Sequence, residues 1–346
     1  MTVVLAPLPI WIAAMLATGL LALRAAVPRG RTRPVRARVL MRALMPRRIL
    51  RSRSGRLDVA GFLFAILLAG SALGWALVSG NWWDGIVERA LAPYSALPFT
   101  LPMPIAATLT TLILFVAYEA SYWINHWLSH RIRWLWAFHK VHHTAEGLSL
   151  LTNFRVHPVD TIIFYNMSAA IVGATAGGMR HLLGPAMAEV SVSGTNLFVF
   201  LASVVLSYLQ HSHLWMATTG RWGRLILSPA HHQLHHSTDP RHHDRNFGST
   251  IALFDWLFGT LLRPTRDRQR LSFGVDGLDH DPHGFSGALL MPFAEALRGP
   301  RAQTRLPSLP ASSTTYCHAT LPERAPRPVA QATASVPSNE SPSFAA

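Results

Sequence analysis

The chain has 346 residues, of which 50% are hydrophobic and only 14% are charged, and its formal net charge is +14 at pH 7. The apolar residues come in runs too long for globular cores, which excludes a pair of ordinary soluble domains. The single cysteine, Cys317, excludes an intramolecular disulfide, a thiolate zinc ribbon and a cysteine-held iron–sulfur cluster.

Five apolar stretches are long enough to span a bilayer, which takes about 20 residues of helix. The predicted spans cover residues 3–23, 59–80, 104–124, 158–179 and 186–209. The first has no basic residues ahead of it, which favours a membrane anchor over a signal peptide. Only Arg180 to Pro185 separates the last two, which predicts a tight helical hairpin.

Twelve arginines between Arg24 and Arg56 follow the first predicted span. Short basic loops stay on the cytoplasmic side, so we expect this loop there. Counting spans then places residues 125–157 and everything after Gln210 on the same face. Contact with lipid headgroups explains the arginines, and we expect no nucleic-acid partner.

Of the 18 histidines, 15 fall between His126 and His243. They include one HxxxH pattern and two HxxHH patterns, formed by His126 and His130, by His139, His142 and His143, and by His232, His235 and His236. Helical residues three and four apart share a face, so each triplet is predicted to point its imidazoles at one spot. Eight imidazoles exceed what one ion accepts, which predicts two metal ions.

The type of metal follows from the ligands and from the location. Calcium and magnesium prefer oxygen ligands, and structural zinc favours cysteine, whereas imidazole-rich ligation suits iron or zinc. Lipid chains near the ends of membrane helices offer many unactivated C–H bonds. An iron centre with O2 attacks such bonds and amino-acid side chains do not, which favours iron.

With these motifs, residues 47–262 resemble the membrane fatty acid hydroxylase and sterol desaturase superfamily. The segments that carry the resemblance are EASYWINHWLSH, LWAFHKVHHT, NFRVHPVD, QHSHL, SPAHHQLHHS and DRNFGSTIALFDWLFGT. The resemblance implies a non-haem di-iron centre that uses O2 and two electrons to hydroxylate or desaturate a lipid or sterol. Zinc is an alternative metal in the purified protein.

The fold expected from the spans and the resemblance is all-α. It is an integral membrane bundle of four to five spanning helices, with a cytoplasmic helical cap that holds the histidine-rich di-metal site. Residues 1–58 would form the anchor and the arginine-rich loop, residues 59–265 the catalytic membrane domain, and residues 266–346 an extension. The Pro- and Ser-rich composition predicts disorder from about residue 299.

Carried over by matching motif, the core ligands of the resemblance are the eight histidines of the three patterns. The additional predicted ligands are His157, His211 and His243. Three alternatives stay open: His157 could instead start a helix, His213 competes with His211, and His243 could bond a loop backbone. His231 is expected to be a neighbour of the site, and His181 is expected to have no metal role.

Four further polar residues are predicted to orient the site from outside the ligand shell: Glu119, Asp160, Asn246 and Asp255. Glu119 lies two helical turns before His126, where it would hydrogen-bond a ligand imidazole. The tryptophans of the Trp123–Trp136 stretch are predicted to form an interfacial aromatic belt.

The predicted partners are the membrane, a lipid or sterol substrate, O2 and an external electron donor. The chain has no HPGG-type haem motif, so a separate reductase, ferredoxin or cytochrome would supply the electrons. The arginine bias favours a bacterial inner membrane. Two competing hypotheses are a di-zinc hydrolase acting on a lipid ester or amide, which would need neither oxygen nor reductant, and a metal-storing membrane scaffold that turns nothing over.

Overall fold

The computed structural model describes residues 16–17, 19–20, 37–96, 100–192, 194–278 and 280–298. In this part of the chain the regular structure is helical, apart from a two-stranded hairpin. The helices are α1 (Ala37–Leu44), α2 (Arg47–Arg51), α3 (Arg53–Leu67), α4 (Ala69–Leu73), α5 (Gly80–Leu91), α6 (Met103–Arg131), α7 (Arg133–His143), α8 (Pro158–Leu183), α9 (Leu197–Val205), α10 (Pro229–His235), α11 (Leu253–Leu257) and α12 (Phe285–Leu297). Short 3-10 turns occupy Gly74–Ala76, Leu150–Phe154, Gly184–Ala186, Ser207–Leu209, Trp222–Arg224 and Pro240–His242.

Helices α6 and α8 are long and apolar enough to cross a membrane. A proline in the first turn of each helix, Pro104 and Pro158, supplies the fixed φ and the missing N–H that a helix start tolerates. The helices at the third and fourth predicted spans are thereby confirmed. Because α6 continues past Ile124 to Arg131, it carries two of the predicted ligands beyond its apolar part.

The second predicted span is broken. Helix α3 and the helical segment 69–91 meet at 71°, and together they pass the length and hydropathy criteria for one span. The break falls at Leu68, between α3 and α4, and the glycines that follow it, Gly70 and Gly74, are poor helix formers. The described residues thus contain two or three candidate spans, and the first predicted span lies largely outside the described residues.

The fifth predicted span, 186–209, is wrong. Strands β1 (Ser191–Val192) and β2 (Thr195–Asn196) pair antiparallel there, and Gly194 takes a φ of +76° in the turn. The Asn196 side chain then caps α9 by accepting from the backbone N–H of Phe198 and Val199. Because α9 starts only at this cap, it is too short to cross a bilayer. The polar turn residues thus interrupt a stretch whose average hydropathy alone predicted one continuous span.

Close backbone contact joins α5 to α8. A Cβ at Gly173 would overlap the carbonyl oxygen of Gly80, and one at Gly177 would overlap that of Asp84. Small residues four apart allow helices in a membrane to approach this closely. Nearby, Arg180 forms an ion pair with Asp84, with 2.8 Å between Nη2 and Oδ2.

The predicted ligands lie on α6, α7 and α10, and in the segments that connect the helices after them. Helix α7 follows α6 after one residue, Ile132, and packs against it. Helix α12 packs on α7, where the rings of Phe138 and Phe293 meet edge to face at 5.1 Å. These helices form a helical layer at one end of α6, whose side of the membrane stays a prediction.

Candidate metal centre

Nine histidines converge into two groups of metal-binding geometry. In each group, one ring nitrogen per residue lies within 4.8 Å of every other. The first group contains His126, His130, His139, His143 and His235, and the second contains His142, His211, His232 and His236. The groups adjoin, since the rings of His143 and His236 stack with centroids 4.4 Å apart.

The expectation that each HxxHH triplet points at one spot is wrong. His139 and His143 join the first group, but His142 joins the second. In the other triplet, His232 and His236 join the second group and His235 joins the first. Residues four apart stay together on one helix face, while the third histidine turns to the neighbouring group. Each triplet therefore connects the two groups.

Hydrogen bonds at Nδ1 orient the rings of the first group. His126 Nδ1 lies 2.8 Å from the carbonyl oxygen of Phe247, and His235 Nδ1 lies 2.7 Å from that of Arg245. His139 Nδ1 lies 2.9 Å from Oδ2 of Asp160. Because an oxygen of this kind only accepts, each Nδ1 carries the proton and each Nε2 keeps its lone pair.

The second group is oriented by the 149–157 segment. His211 Nδ1 lies 2.8 Å from Oδ1 of Asn153, and His142 Nδ1 lies 3.3 Å from the carbonyl oxygen of Arg155. The Nε2 atoms turn inward: that of His211 is 2.8 Å from Nε2 of both His142 and His232. His236 Nε2 is 3.1 Å from His232 Nε2.

The inward nitrogens of the first group are buried and lack hydrogen bonds. Among the described residues, the Nε2 atoms of all five of its members have no partner. Burial is also the main cause that lowers the pKa of His211 and of His235 to about 3, and nearby imidazoles add to it. Burial likewise holds the pKa of His142, His143, His232 and His236 well below the usual value. These six rings are therefore neutral near pH 7.

This arrangement fits metal ions. Neutral imidazoles with oriented Nδ1–H groups and convergent lone pairs are the ligands that divalent transition metals prefer. Ligand nitrogens about 2.1 Å from one ion lie up to about 4.2 Å from each other, close to the spread within each group. Buried nitrogens without partners cost free energy, which a bound cation would offset.

Two predicted ligands lie outside both groups. His157 caps α8 instead: its Nδ1 accepts from Val159 N–H at 3.1 Å and its Nε2 lies 3.0 Å from the Leu289 carbonyl. With both nitrogens engaged, His157 has none left for a metal. His243 is exposed, and of the two candidates in the QHSH segment it is His211 that joins a group. His231 is a neighbour, as expected, and forms a capping box with Ser228.

Asp160 contacts His139 of the first group, as predicted, whereas Glu119 contacts none of the histidines. Glu119 accepts from the backbone N–H of Thr250 at 2.9 Å and of Ile251 at 3.1 Å, and from the Thr250 hydroxyl. It therefore ties α6 to the loop after Phe247 and contacts no imidazole. These three hydrogen bonds satisfy the two carboxylate oxygens of a side chain that is only 1% exposed.

Asp255 and Asn246 position the same loop. Asp255 accepts from the N–H groups of Phe247 at 2.9 Å and Gly248 at 2.8 Å, and burial raises its pKa. Asn246 has a φ of +57°, and its side chain donates to the His231 carbonyl at 3.0 Å. Both residues fix the backbone whose Phe247 carbonyl orients His126. They act on the ligands through that loop.

Sequence reasoning missed a buried ion pair behind the second group. Arg155 Nε lies 2.7 Å from Oδ1 of Asp58, with side chains only 1% and 0% exposed. Thr152 also donates to Asp58 at 2.8 Å. The pair fixes the segment whose Asn153 and Arg155 oxygens orient His211 and His142. Arg155 and Asn153 stand in the NFRVHP motif, which was a usable signal, but no spacing rule pointed to Asp58.

The fold and the site define an integral membrane protein whose helical layer holds two adjoining histidine groups suited to metal. Residues 111–260 match the family model described as fatty acid hydroxylase. The match covers Glu119 and both histidine groups. Together with the relatives below, the match confirms the resemblance of this part of the chain to the membrane fatty acid hydroxylase superfamily.

Relatives of known activity align with about half of the chain. An alkylglycerol monooxygenase of Danio rerio is 26% identical over 163 residues, which are 46% of this chain and 32% of the relative. An ornithine lipid hydroxylase of Rhizobium tropici is 25% identical over 178 residues, which are 51% of this chain and 48% of the relative. The chain thus spans between a third and a half of the length of these relatives. No solved structure matches it.

Proposed function

We propose that this protein is a membrane-bound, O2-dependent oxidoreductase that hydroxylates an alkyl C–H bond of a lipid through two histidine-held iron ions. The observation that carries the proposal is the pair of adjoining histidine groups, with their inward ring nitrogens, at the end of a candidate span. The relatives named as a monooxygenase and a hydroxylase favour hydroxylation over desaturation.

The proposed ligands are the nine histidines of the two groups, which omits His157 and His243 from the sequence-based set. When bound, the iron pair supplies the activation of O2 that side chains cannot perform. Asp160 and the carbonyls of Phe247, Arg245 and Arg155 hold the Nδ1 protons, so that each Nε2 stays free to bind. The protein thus fixes the tautomer and the direction of these four rings, those of His126, His139, His142 and His235, before any metal arrives.

Aromatic side chains keep water from the first group. Phe247 is fully buried, and its ring lies 5.4 Å from that of His126 and 5.1 Å from that of His130. The ring of Trp136 also packs near this group, 4.9 Å from the ring of His130. An apolar wall suits an alkyl substrate and protects a strong oxidant from side reactions.

The substrate class follows from the apolar surroundings and from the relatives. A long-chain lipid can reach the end of α6 from within the bilayer. We propose a glycerolipid or an amino-acid-containing lipid with an alkyl chain as substrate. A separate reductase, ferredoxin or cytochrome would deliver the two electrons, and a bacterial inner membrane with the groups facing the cytoplasm is the proposed location.

The test is the transfer of oxygen from O2 to a lipid. Host membranes containing the wild-type protein, H235A or H236A are incubated with a reductant under 18O2, and their lipids are compared by mass spectrometry. We expect labelled hydroxylipids with the wild-type protein and none with either variant. H181A is the matched control, because His181 belongs to neither group and should leave the labelled product unchanged.

Two outcomes would overturn the proposal. Lipid hydrolysis products that form equally well without oxygen would show the di-zinc hydrolase instead. Metal-loaded protein that leaves every lipid unchanged, with reductant and O2 present, would show a metal-storing scaffold. Labelled product from H235A would refute the assignment of the first group.

A further inference from the structure

An exposed apolar patch lies beside α6. Its side chains are between 43% and 63% exposed and belong to Trp222, Leu225, Leu253, Trp256, Leu257 and Phe258. Two backbone hydrogen bonds of 2.9 Å, Ala252 N to Leu225 O and Leu227 N to Thr250 O, hold the two segments together. We name these six residues the α11 patch.

The α11 patch is continuous with a candidate membrane span. Phe258 stacks on Trp123 of α6 with ring centroids 4.6 Å apart, and Trp123 Nε1 donates to Asp255 at 3.2 Å. At 1.5 Å per residue, Trp123 lies roughly 12 Å before the end of α6 at Arg131. That depth is the end of the apolar stretch 104–124, where a bilayer's hydrocarbon gives way to headgroups.

Trp123 does not itself face the lipid. Its side chain is only 5% exposed, because the rings of Phe258, Trp127 and Phe247 and the carboxylate of Asp255 pack against it. At the membrane interface, the outer face of α11 is therefore exposed in place of this part of α6. That face carries a tryptophan and a phenylalanine, the kind of side chains that are enriched at membrane interfaces.

The charges around the α11 patch match a lipid surface. Within residues 221–226 and 253–263 the acidic residue is Asp255, which is fully buried, while Arg221, Arg224 and Arg263 are exposed. The Arg221 guanidinium lies 5.5 Å from the centre of the Trp222 ring. An apolar centre with a basic edge is typical of segments that lie in the headgroup region.

We propose that the α11 patch sits in the boundary between headgroups and acyl chains of the bilayer that α6 crosses. The exposed arginines then meet anionic headgroups. This contact holds the helical layer against the membrane, independently of what the histidine groups catalyse. It also places the first group close to lipid, since Phe247 lies between Trp123, at 6.3 Å, and His126, at 5.4 Å.

Site-directed spin labelling tests the proposal in the full chain. Cys317 is the only cysteine, so C317S gives a background without thiols. In that background the label is attached at position 256 in W256C or at position 257 in L257C. L112C labels an exposed position of α6 and gives the lipid reference, and S272C labels an exposed position that gives the water reference. The proteins are reconstituted in vesicles of phosphatidylcholine and phosphatidylglycerol, and collisions with O2 and with a water-soluble nickel complex are measured.

We expect labels at 256 and 257 to resemble the label at 112, with a ratio of O2 to nickel collisions several-fold above that at 272. A ratio equal to that at 272 would overturn the proposal, because the patch would then face water. Low collision rates with both reagents would overturn it too, because protein would cover the patch. Spectral broadening that disappears on dilution with unlabelled protein would identify a second copy as the cover and would also refute it.

Discussion

The Nε2 atoms of His142 and His211 lie 2.8 Å apart, although 69 positions of sequence separate the two residues. Both Nδ1 protons are engaged elsewhere, by Arg155 and Asn153. Two lone pairs therefore point at each other in a buried space. Such a contact is unfavourable unless a cation binds both nitrogens, and the second group therefore suits a metal ion.

The division of the histidines predicts the metal content of single variants. H130A should empty the first group and H211A the second, so that bound iron falls by about half in either variant, because each ion depends on its own ligands. H157A and H243A should keep the wild-type iron content. Metal analysis of the purified proteins measures this. Loss of iron in H157A, or full retention in H211A, would contradict the assignment.

Asp160 should govern how tightly the first group binds. Asp160 lies 2.9 Å from Nδ1 of His139, and removing such an oriented carboxylate costs about 10–100-fold in metal affinity. We therefore expect D160A to weaken iron binding by that factor in competition with a chelator. D160N retains an acceptor oxygen and should lose less. Equal affinities for D160A and the wild-type protein would show that His139 needs no partner.

The buried pair of Asp58 and Arg155 should contribute strongly to stability. D58N leaves the Arg155 guanidinium, which is 1% exposed, without its counter-charge, at a cost of about 3–5 kcal/mol. Thermal unfolding in detergent measures the loss, which should accompany release of iron from the second group. The control is D84N, since Arg180 is 42% exposed and stays solvated when its partner is neutral. Similar melting temperatures for D58N and D84N would contradict this account.

At the contact between α5 and α8, G177A should destabilise the protein, whereas G178A at the neighbouring position should not. In G177A the new methyl group meets the Asp84 carbonyl, and such overpacking costs about 1–3 kcal/mol. In G178A it meets nothing within 4 Å. Thermal unfolding should show a lower melting temperature for G177A alone. If both variants melt like the wild-type protein, the two helices do not approach this closely.

Apolar length and histidine spacing predicted the parts of the fold that depend on local pattern. Helices α6 and α8 follow from long apolar runs that begin with a proline in the first turn. The clustering of the histidines follows from the HxxxH and HxxHH spacings, which match the periodicity of a helix. The run 186–209 misled because its average hydropathy concealed the turn at Gly194 and the cap at Asn196. A hydropathy average over about 20 residues is insensitive to two or three polar residues, although their hydrogen bonds to the backbone can end or start a helix.

The three-dimensional partners of the ligands could not be predicted from spacing. Which face of α7 meets His235 depends on how α7 and α10 pack, so the triplets could not be divided between two groups beforehand. Glu119 was expected at an imidazole because it lies two turns before His126, but it meets the N–H groups of Thr250 and Ile251, 131 and 132 positions away. The backbone carbonyls of Phe247, Arg245 and Arg155 orient ligands without any side-chain signal.

The most direct test of the central claim is the Mössbauer spectrum of the wild-type protein loaded with 57Fe under anaerobic conditions. Two adjoining histidine groups with five and four ligands predict two high-spin non-haem iron sites of equal intensity and different environment. A single iron site, or protein that takes up no iron while H130A and H211A behave like the wild type, would contradict the claim.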